Sequence, residues 1–171
     1  MTSSSDIPRP DPLAGALAGL AAGLAASLAM DAFQAALSAL SPSDGEPMPA
    51  TQQFADRVAR DVTGEPVADG YKALAGQAVH YGLGAALGVA YGLAAEYSPA
   101  VTAGRGAAFG AGTAALLDET AVPLIGVGDP PWKTSPATHL YTLASHLVFG
   151  AAAEATRRLV RGALGAARSR A

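Results

Sequence analysis

The feature that most constrains this chain is a long apolar run, Leu13 to Leu40, which contains a single charge, Asp31. At about 1.5 Å of rise per residue, a helix of this length can cross the hydrocarbon core of a bilayer. Asp11 followed by Pro12 predicts the start of the helix, because a carboxylate caps the first turn and proline suits the first helical position. A cleaved signal peptide is the rival interpretation, which the length of the run and the lack of a leading positive excess disfavour.

Three further apolar segments follow, separated by polar turns. Half of all residues are hydrophobic and only 15% are charged, whereas about 25% are charged in a typical soluble domain. The segments are rich in alanine rather than leucine, a composition that a soluble helical protein can also have. We nevertheless predict an all-α fold, an integral membrane four-helix bundle, with helices at about 13–40, 71–96, 104–127 and 137–159.

The first connection, outer loop 41–70, contains a short amphipathic stretch, "TQQFADRVARDV". Phe54, Val58 and Val62 recur there at four-residue steps, which predicts a short helix with one apolar face. The predicted divisions of the chain are a disordered cytoplasmic tail (1–12), a four-helix transmembrane domain (13–161) and a basic cytoplasmic tail (162–171).

The distribution of arginine and lysine predicts the orientation. Loops and tails on one side of the predicted bundle would carry seven basic residues, and those on the other side four. Because cytoplasmic segments are enriched in lysine and arginine, both termini are expected in the cytoplasm. The two groups are Arg9, Arg105, Arg157, Arg158, Arg161, Arg168 and Arg170, against Arg57, Arg60, Lys72 and Lys133.

Several classes of function are disfavoured by the sequence. The net charge of −3 argues against a nucleic-acid partner. The chain has no cysteine, so neither disulfides nor thiolate chemistry can occur. We find no nucleophile–base–orienter set, phosphate loop or dinucleotide fingerprint, and therefore expect no enzymatic activity and assign no cofactor.

Small residues recur at four-residue steps in the predicted helices. Lipid provides no hydrophobic drive between helices, so membrane helices associate through small residues that let their backbones approach. The residues predicted to form helix contacts are Gly15, Gly19 and Gly23; Gly84, Gly88 and Gly92; Gly106 and Gly110; and Gly150.

Ionisable residues lie on or near these small-residue faces. Charges at membrane depth are costly and normally face one another or water, which predicts an interior polar cluster of Asp31, His80, Asp118, Glu119, His139 and His146. Three roles stay open: hydrogen bonds that only lock the helices together, a protonatable or ion-conducting site, and a haem or metal site. The absence of an HExxH motif or a cysteine pair makes the metal signal weak.

The second half of the chain resembles a known family. "HYGLGAALGVAYGLAAEYSP", "DETAVPLIGVGDPP" and "ASHLVFGAAAEATRRLVR" look like the YagU-type bacterial inner-membrane proteins, over roughly Gln77 to Arg161. The resemblance implies a multi-pass, oligomeric protein of the inner membrane but no catalytic mechanism. His139 lies outside the pattern, whose matching positions are His80, Tyr91, Glu96, Pro99, Pro123, Gly126, Pro130, Pro131, His146, Glu154, Arg157 and Arg158.

Overall fold

The computed structural model describes residues 10–40 and 48–170, which are mainly helical and contain no strand. Most of the predicted amino-terminal tail and the start of the predicted outer loop lie outside these residues. The α-helices are α1 (Pro12–Leu40), α2 (Ala50–Thr63), α3 (Lys72–Tyr97), α4 (Ala107–Leu116), α5 (Val122–Leu124) and α6 (Pro136–Arg168), and a π turn, Leu117–Ala121, joins α4 to α5.

Helix α1 lies at the centre of the fold, where it packs against both α3 and α6, while α4 packs against α6 and α2 against α3. Glycines make the α1–α3 contact close. A Cβ atom added at Gly19 would lie less than 3.0 Å from the backbone of Gly88, and one at Gly23 equally close to Gly84. Any larger residue would therefore push the two helices apart.

A second glycine contact joins α4 to α6. A Cβ atom added at Gly110 would lie 2.9 Å from the carbonyl carbon of His146. One added at Gly150 would lie 2.7 Å from the backbone nitrogen of Gly110. The predicted glycine positions Gly15, Gly92 and Gly106 also oppose a neighbouring helix at such distances. These close contacts set the distances between α1 and α3 and between α4 and α6, and therefore the positions of the neighbouring polar side chains.

The distribution of apolar residues is the reverse of that in a soluble globule. The buried residues of α1 are small, for example Ala14, Ala18 and Ala22, whereas its leucines point outward. Leu13 is 64% and Leu28 62% exposed. Contiguous apolar surfaces of this kind are rare on soluble monomers and mark contact with a membrane or a partner.

Two helical segments, Pro12–Leu40 and Asp69–Tyr97, are long and apolar enough to cross a membrane. Within the described part of the chain no other helix meets the same criterion. The third predicted span is divided by the π turn. The fourth carries two histidines, two adjacent arginines and a glutamate, which lower its mean hydropathy.

The bounds of α1 and α3 agree with the predicted helices 13–40 and 71–96, whereas the third and fourth predicted helices differ from the structure. The third helix was expected at 104–127, yet α4 begins only at Ala107, because residues 104–106 have positive φ angles. The last helix was expected to end near residue 159, yet α6 continues to Arg168. Alanines favour the helix in the predicted basic tail, and Arg168 pairs there with Asp11.

Candidate functional site

A cavity of about 510 Å³ lies between α1, α3, the α4–π segment and α6. The first turn of α2 covers part of it, and Phe54 contributes to the lining. Arg57 donates a hydrogen bond to the carbonyl of Ile125, which ties α2 to the loop after α5. Most of the cavity wall is apolar, and its ionisable lining residues are Asp31, His80, Asp118 and His146.

Asp31 and His80 form the first histidine–carboxylate pair, between α1 and α3. His80 Nε2 lies 3.3 Å from Asp31 Oδ1 and 3.5 Å from the carbonyl oxygen of Ser27. Gln77 Nε2 donates to the other carboxylate oxygen of Asp31 at 3.4 Å. All these separations are long for hydrogen bonds, so the pair is held loosely.

Asp118 and His146 form the second pair, between the π turn and α6. His146 Nδ1 lies 3.3 Å from Asp118 Oδ2 and only 3.0 Å from the carbonyl oxygen of Thr142, to which it donates. Asp118 Oδ2 is buried and has no hydrogen-bond partner among the described residues. The ring and the carboxylate are therefore close enough to interact electrostatically, while one buried acceptor stays unused.

The π turn presents two consecutive carboxylates, Asp118 and Glu119, to α6. They reach different histidines, His146 and His139, which are two helical turns apart on α6. π turns are rare and frequently occur at functional sites. The two carboxylates were predicted as members of the polar cluster, but no sequence signal pointed to the π turn.

His139 and Glu119 lie outside the set of residues that line the cavity. His139 Nδ1 is 2.6 Å from Glu119 Oε1, and its Nε2 is 3.1 Å from the carbonyl oxygen of Pro131. Both partners are acceptors, so hydrogen bonds at both nitrogens require the doubly protonated ring. The six residues predicted to form one cluster are thus divided: four line the cavity, and these two form a partly exposed pair beside it.

Glu154 is the centre of a second ionic group, at the opposite end of the fold. It is 1% exposed and accepts a hydrogen bond from the Tyr91 hydroxyl at 2.7 Å. Arg157 donates two bonds, at 2.7 and 2.9 Å, and Arg158 one at 2.5 Å. Glu154 and Arg157 have the i, i+3 spacing of ion pairs on one helix, whereas no spacing pointed to a bond between Tyr91 and Glu154.

Glu96 connects this end of α3 to α6 and to the start of α1. Arg161 donates to its two carboxylate oxygens at 2.6 and 3.1 Å, and the backbone nitrogen of Asp11 donates at 2.9 Å. The hydrogen bond that Arg161 donates to Glu96 raises the pKa of Arg161 above its usual value. Asp11 also caps α1, as predicted, by accepting from the backbone nitrogen of Ala14 at 3.0 Å.

These features define a helical protein with two possible membrane-spanning segments, one loosely paired histidine cavity and one tightly bonded arginine cluster. The chain belongs to the family described as "Protein of unknown function (DUF1440)", whose model matches residues 61–155, more than half of the chain. Comparisons with curated proteins and with solved structures gave no match. The matched region contains His80, Asp118, His146 and Glu154, whereas Asp31 precedes it. The resemblance to YagU-type proteins stays a prediction.

The histidines and carboxylates of this half of the fold meet in pairs. Within residues 10–40 and 48–170 there is no group of three or more His, Cys, Asp or Glu that could hold a metal ion. Each histidine instead has one carboxylate partner. A ring beside a carboxylate is an arrangement suited to proton exchange between the two groups.

Proposed function

We propose that this protein is an integral protein of the bacterial inner membrane that binds protons in its cavity and passes them between water and the cavity's histidine–carboxylate pairs. Both termini would lie in the cytoplasm, and the protein would form homo-oligomers. It would carry out no enzymatic reaction and bind no nucleic acid.

The surface of the fold supports a membrane location. The outward leucines of α1 would face lipid, and small residues in the helix contacts would replace the hydrophobic drive that lipid cannot provide. Trp132, Tyr71 and Tyr97 are exposed near helix ends, where aromatic residues occupy the membrane–water interface. With cytoplasmic termini, the cavity would open toward the outer side.

The observation that carries the proton assignment is that two histidine–carboxylate pairs line one largely apolar cavity. Asp118 is faced by His146 from α6 and has Glu119 beside it in the π turn. Asp31 is faced by His80, Gln77 and Tyr81 from α3. Because the ring and the carboxylate of each pair are 3.3 Å apart, a proton can leave or join without breaking a short bond between them.

The second candidate function, from another class, is a structural or accessory membrane subunit whose polar groups only lock helices together. The short bonds around Glu154 favour that role for their end of the fold. The two candidates differ in whether replacing a cavity carboxylate changes proton movement or only stability.

Proton movement can be measured with the full-length protein in liposomes that contain a pH-sensitive dye, under a potassium-diffusion potential. We expect faster acidification than in empty liposomes. Asp118→Asn should reduce the rate about tenfold or more, because the titratable carboxylate is lost. Glu119→Gln is the matched control, since Glu119 lies in the same turn but outside the cavity, and its rate should change less than twofold.

A rate equal to that of empty liposomes, or equal rates for the two variants, would refute proton passage through this cavity.

Membrane orientation is tested separately. A reporter fused after Ala171 should be active only in the cytoplasm, and one inserted near Gly45 only outside. Activity of the second fusion in the cytoplasm would contradict the topology.

A further inference from the structure

The only ionisable groups in the cavity lining are carboxylates and histidines, among the residues that the structure describes. The lining contains two carboxylates, Asp31 and Asp118, and two histidines, but no lysine or arginine within the described ranges. When the histidines are neutral, the cavity therefore has a negative potential. Such a site attracts cations and repels anions.

The walls of the cavity indicate what kind of cation would fit. Aromatic and aliphatic side chains form most of the lining, including Phe54, Leu83, Leu87, Leu117 and Phe149. They cannot replace the water around a small inorganic ion, and no third acidic or histidine ligand joins either pair in the described residues. An organic cation carries its own apolar surface, and a volume of about 510 Å³ is within the range of small-molecule sites.

Two buried polar atoms at the cavity are without partners among residues 10–40 and 48–170. They are Asp118 Oδ2 and the hydroxyl oxygen of Ser27, a residue that is 0% exposed and belongs to the lining. Buried polar atoms normally have a hydrogen-bond partner, so unused acceptors mark a place where a donor is missing. An ammonium group has up to three such donors.

We propose that the cavity binds a small lipophilic organic cation, namely an amine with an aromatic or branched apolar group. Its ammonium group pairs with the partly exposed carboxylate of Asp118, and its apolar part contacts Phe149 and the leucines of α3. This deepens the proposed function, because the amine and a proton then compete for the same carboxylate. Asp31 and His80 form the second charged wall of the site.

The proposal is tested by calorimetric titration of the purified full-length protein in detergent with three compounds that share one skeleton. They are 4-phenylbutylamine, 4-phenylbutanol and 4-phenylbutyrate, which are a cation, a neutral molecule and an anion at pH 7. We expect the amine to bind at least tenfold more tightly than the other two. Asp118→Asn should weaken amine binding about tenfold, because the charge-assisted bond is lost, whereas Glu119→Gln should change it less than threefold.

Equal affinity for the amine and the alcohol would overturn the proposal, since it would mean that only apolar contact matters. Equal effects of Asp118→Asn and Glu119→Gln would overturn it too. If Asp118→Asn does not fold, Asp31→Asn replaces it: a clear loss of amine affinity supports the site, and an unchanged affinity refutes it. Amine binding without proton movement would refute the proposed function alone, and proton movement without amine binding would refute this inference alone.

Discussion

The two ends of the fold join helices with the same kind of acidic residue but with different bases. At the arginine end, defined by Tyr91, Glu96, Glu154 and the arginines of α6, the bonds to Glu154 measure 2.5–2.9 Å and the carboxylate is buried. The histidine half is defined by the three histidine–carboxylate pairs. Within each of the two cavity pairs, the ring nitrogen lies 3.3 Å from the carboxylate oxygen.

This difference separates a structural ionic group, which holds the helices in place and is called the lock below, from a site that can change its charge. Arginine stays charged at every physiological pH and offers a rigid set of donors, so the arginine end keeps one arrangement. Histidine can lose its proton near neutral pH, and its loose pairs leave a buried acceptor unused. We infer that the arginine end fixes the helices so that the histidine half can exchange protons and ligands without loss of the fold.

The largest effect is expected from Glu154→Gln, which breaks the arginine end. The substitution leaves the guanidinium group of Arg157, whose side chain is only 12% exposed, without its counter-charge, at a cost of about 3 kcal/mol of unfolding free energy. Unfolding in mixed micelles measures it. Glu65→Gln, in an exposed loop, is the control and should change little. Similar losses in both variants would show that the arginine end is not a lock.

Tyr91→Phe tests how much one hydrogen bond contributes to the arginine end. It removes the hydroxyl that donates to Glu154 and keeps the ring that stacks on Phe109. A hydrogen bond to a charged group contributes about 1.5–3 kcal/mol, so the same unfolding assay should show a loss of that size. Tyr97→Phe, on an exposed ring at the end of the helix, should be neutral. If Tyr91→Phe leaves the free energy of unfolding unchanged, only the bonds between Glu154 and the arginines stabilise this end.

Gly110→Ala tests how the histidine half is positioned. The added methyl group would collide with the backbone at His146, and such overpacking typically costs about 1–3 kcal/mol. Gly112→Ala, two residues on, meets nothing within 4 Å and should be neutral or slightly stabilising. Equal unfolding free energies would mean that the α4–α6 glycine contact does not hold His146 against Asp118.

The smallest effect is expected from His139→Ala. His139 and Glu119 are each about one-third exposed, and exposed pairs contribute little to stability. The loss should be smaller than for any of the three preceding variants, and proton movement in liposomes should persist. A loss as large as that of Glu154→Gln would place this pair with the arginine end.

The sequence predicted the helices well because long apolar runs, proline and glycine mark their ends, as Asp11 and Pro12 do for α1. It also predicted which glycines lie at helix contacts, since small residues at four-residue steps share a face, but not which glycine opposes which. It did not predict the division of the six polar residues or the Tyr91–Glu154 bond. Those depend on the π turn and on the angles between helices, which no local pattern encodes.

The most direct test of the central claim measures whether water reaches the histidine half and not the arginine end. Because the chain has no cysteine, single substitutions can be labelled cleanly in intact cells. Thr113→Cys lies in the cavity lining, and Ala153→Cys lies in the fully buried core next to Glu154. We predict that a small cationic methanethiosulfonate reagent added outside labels the cysteine at position 113 and not that at 153. Labelling of position 153 alone, of both positions at equal rates, or of neither would contradict the account.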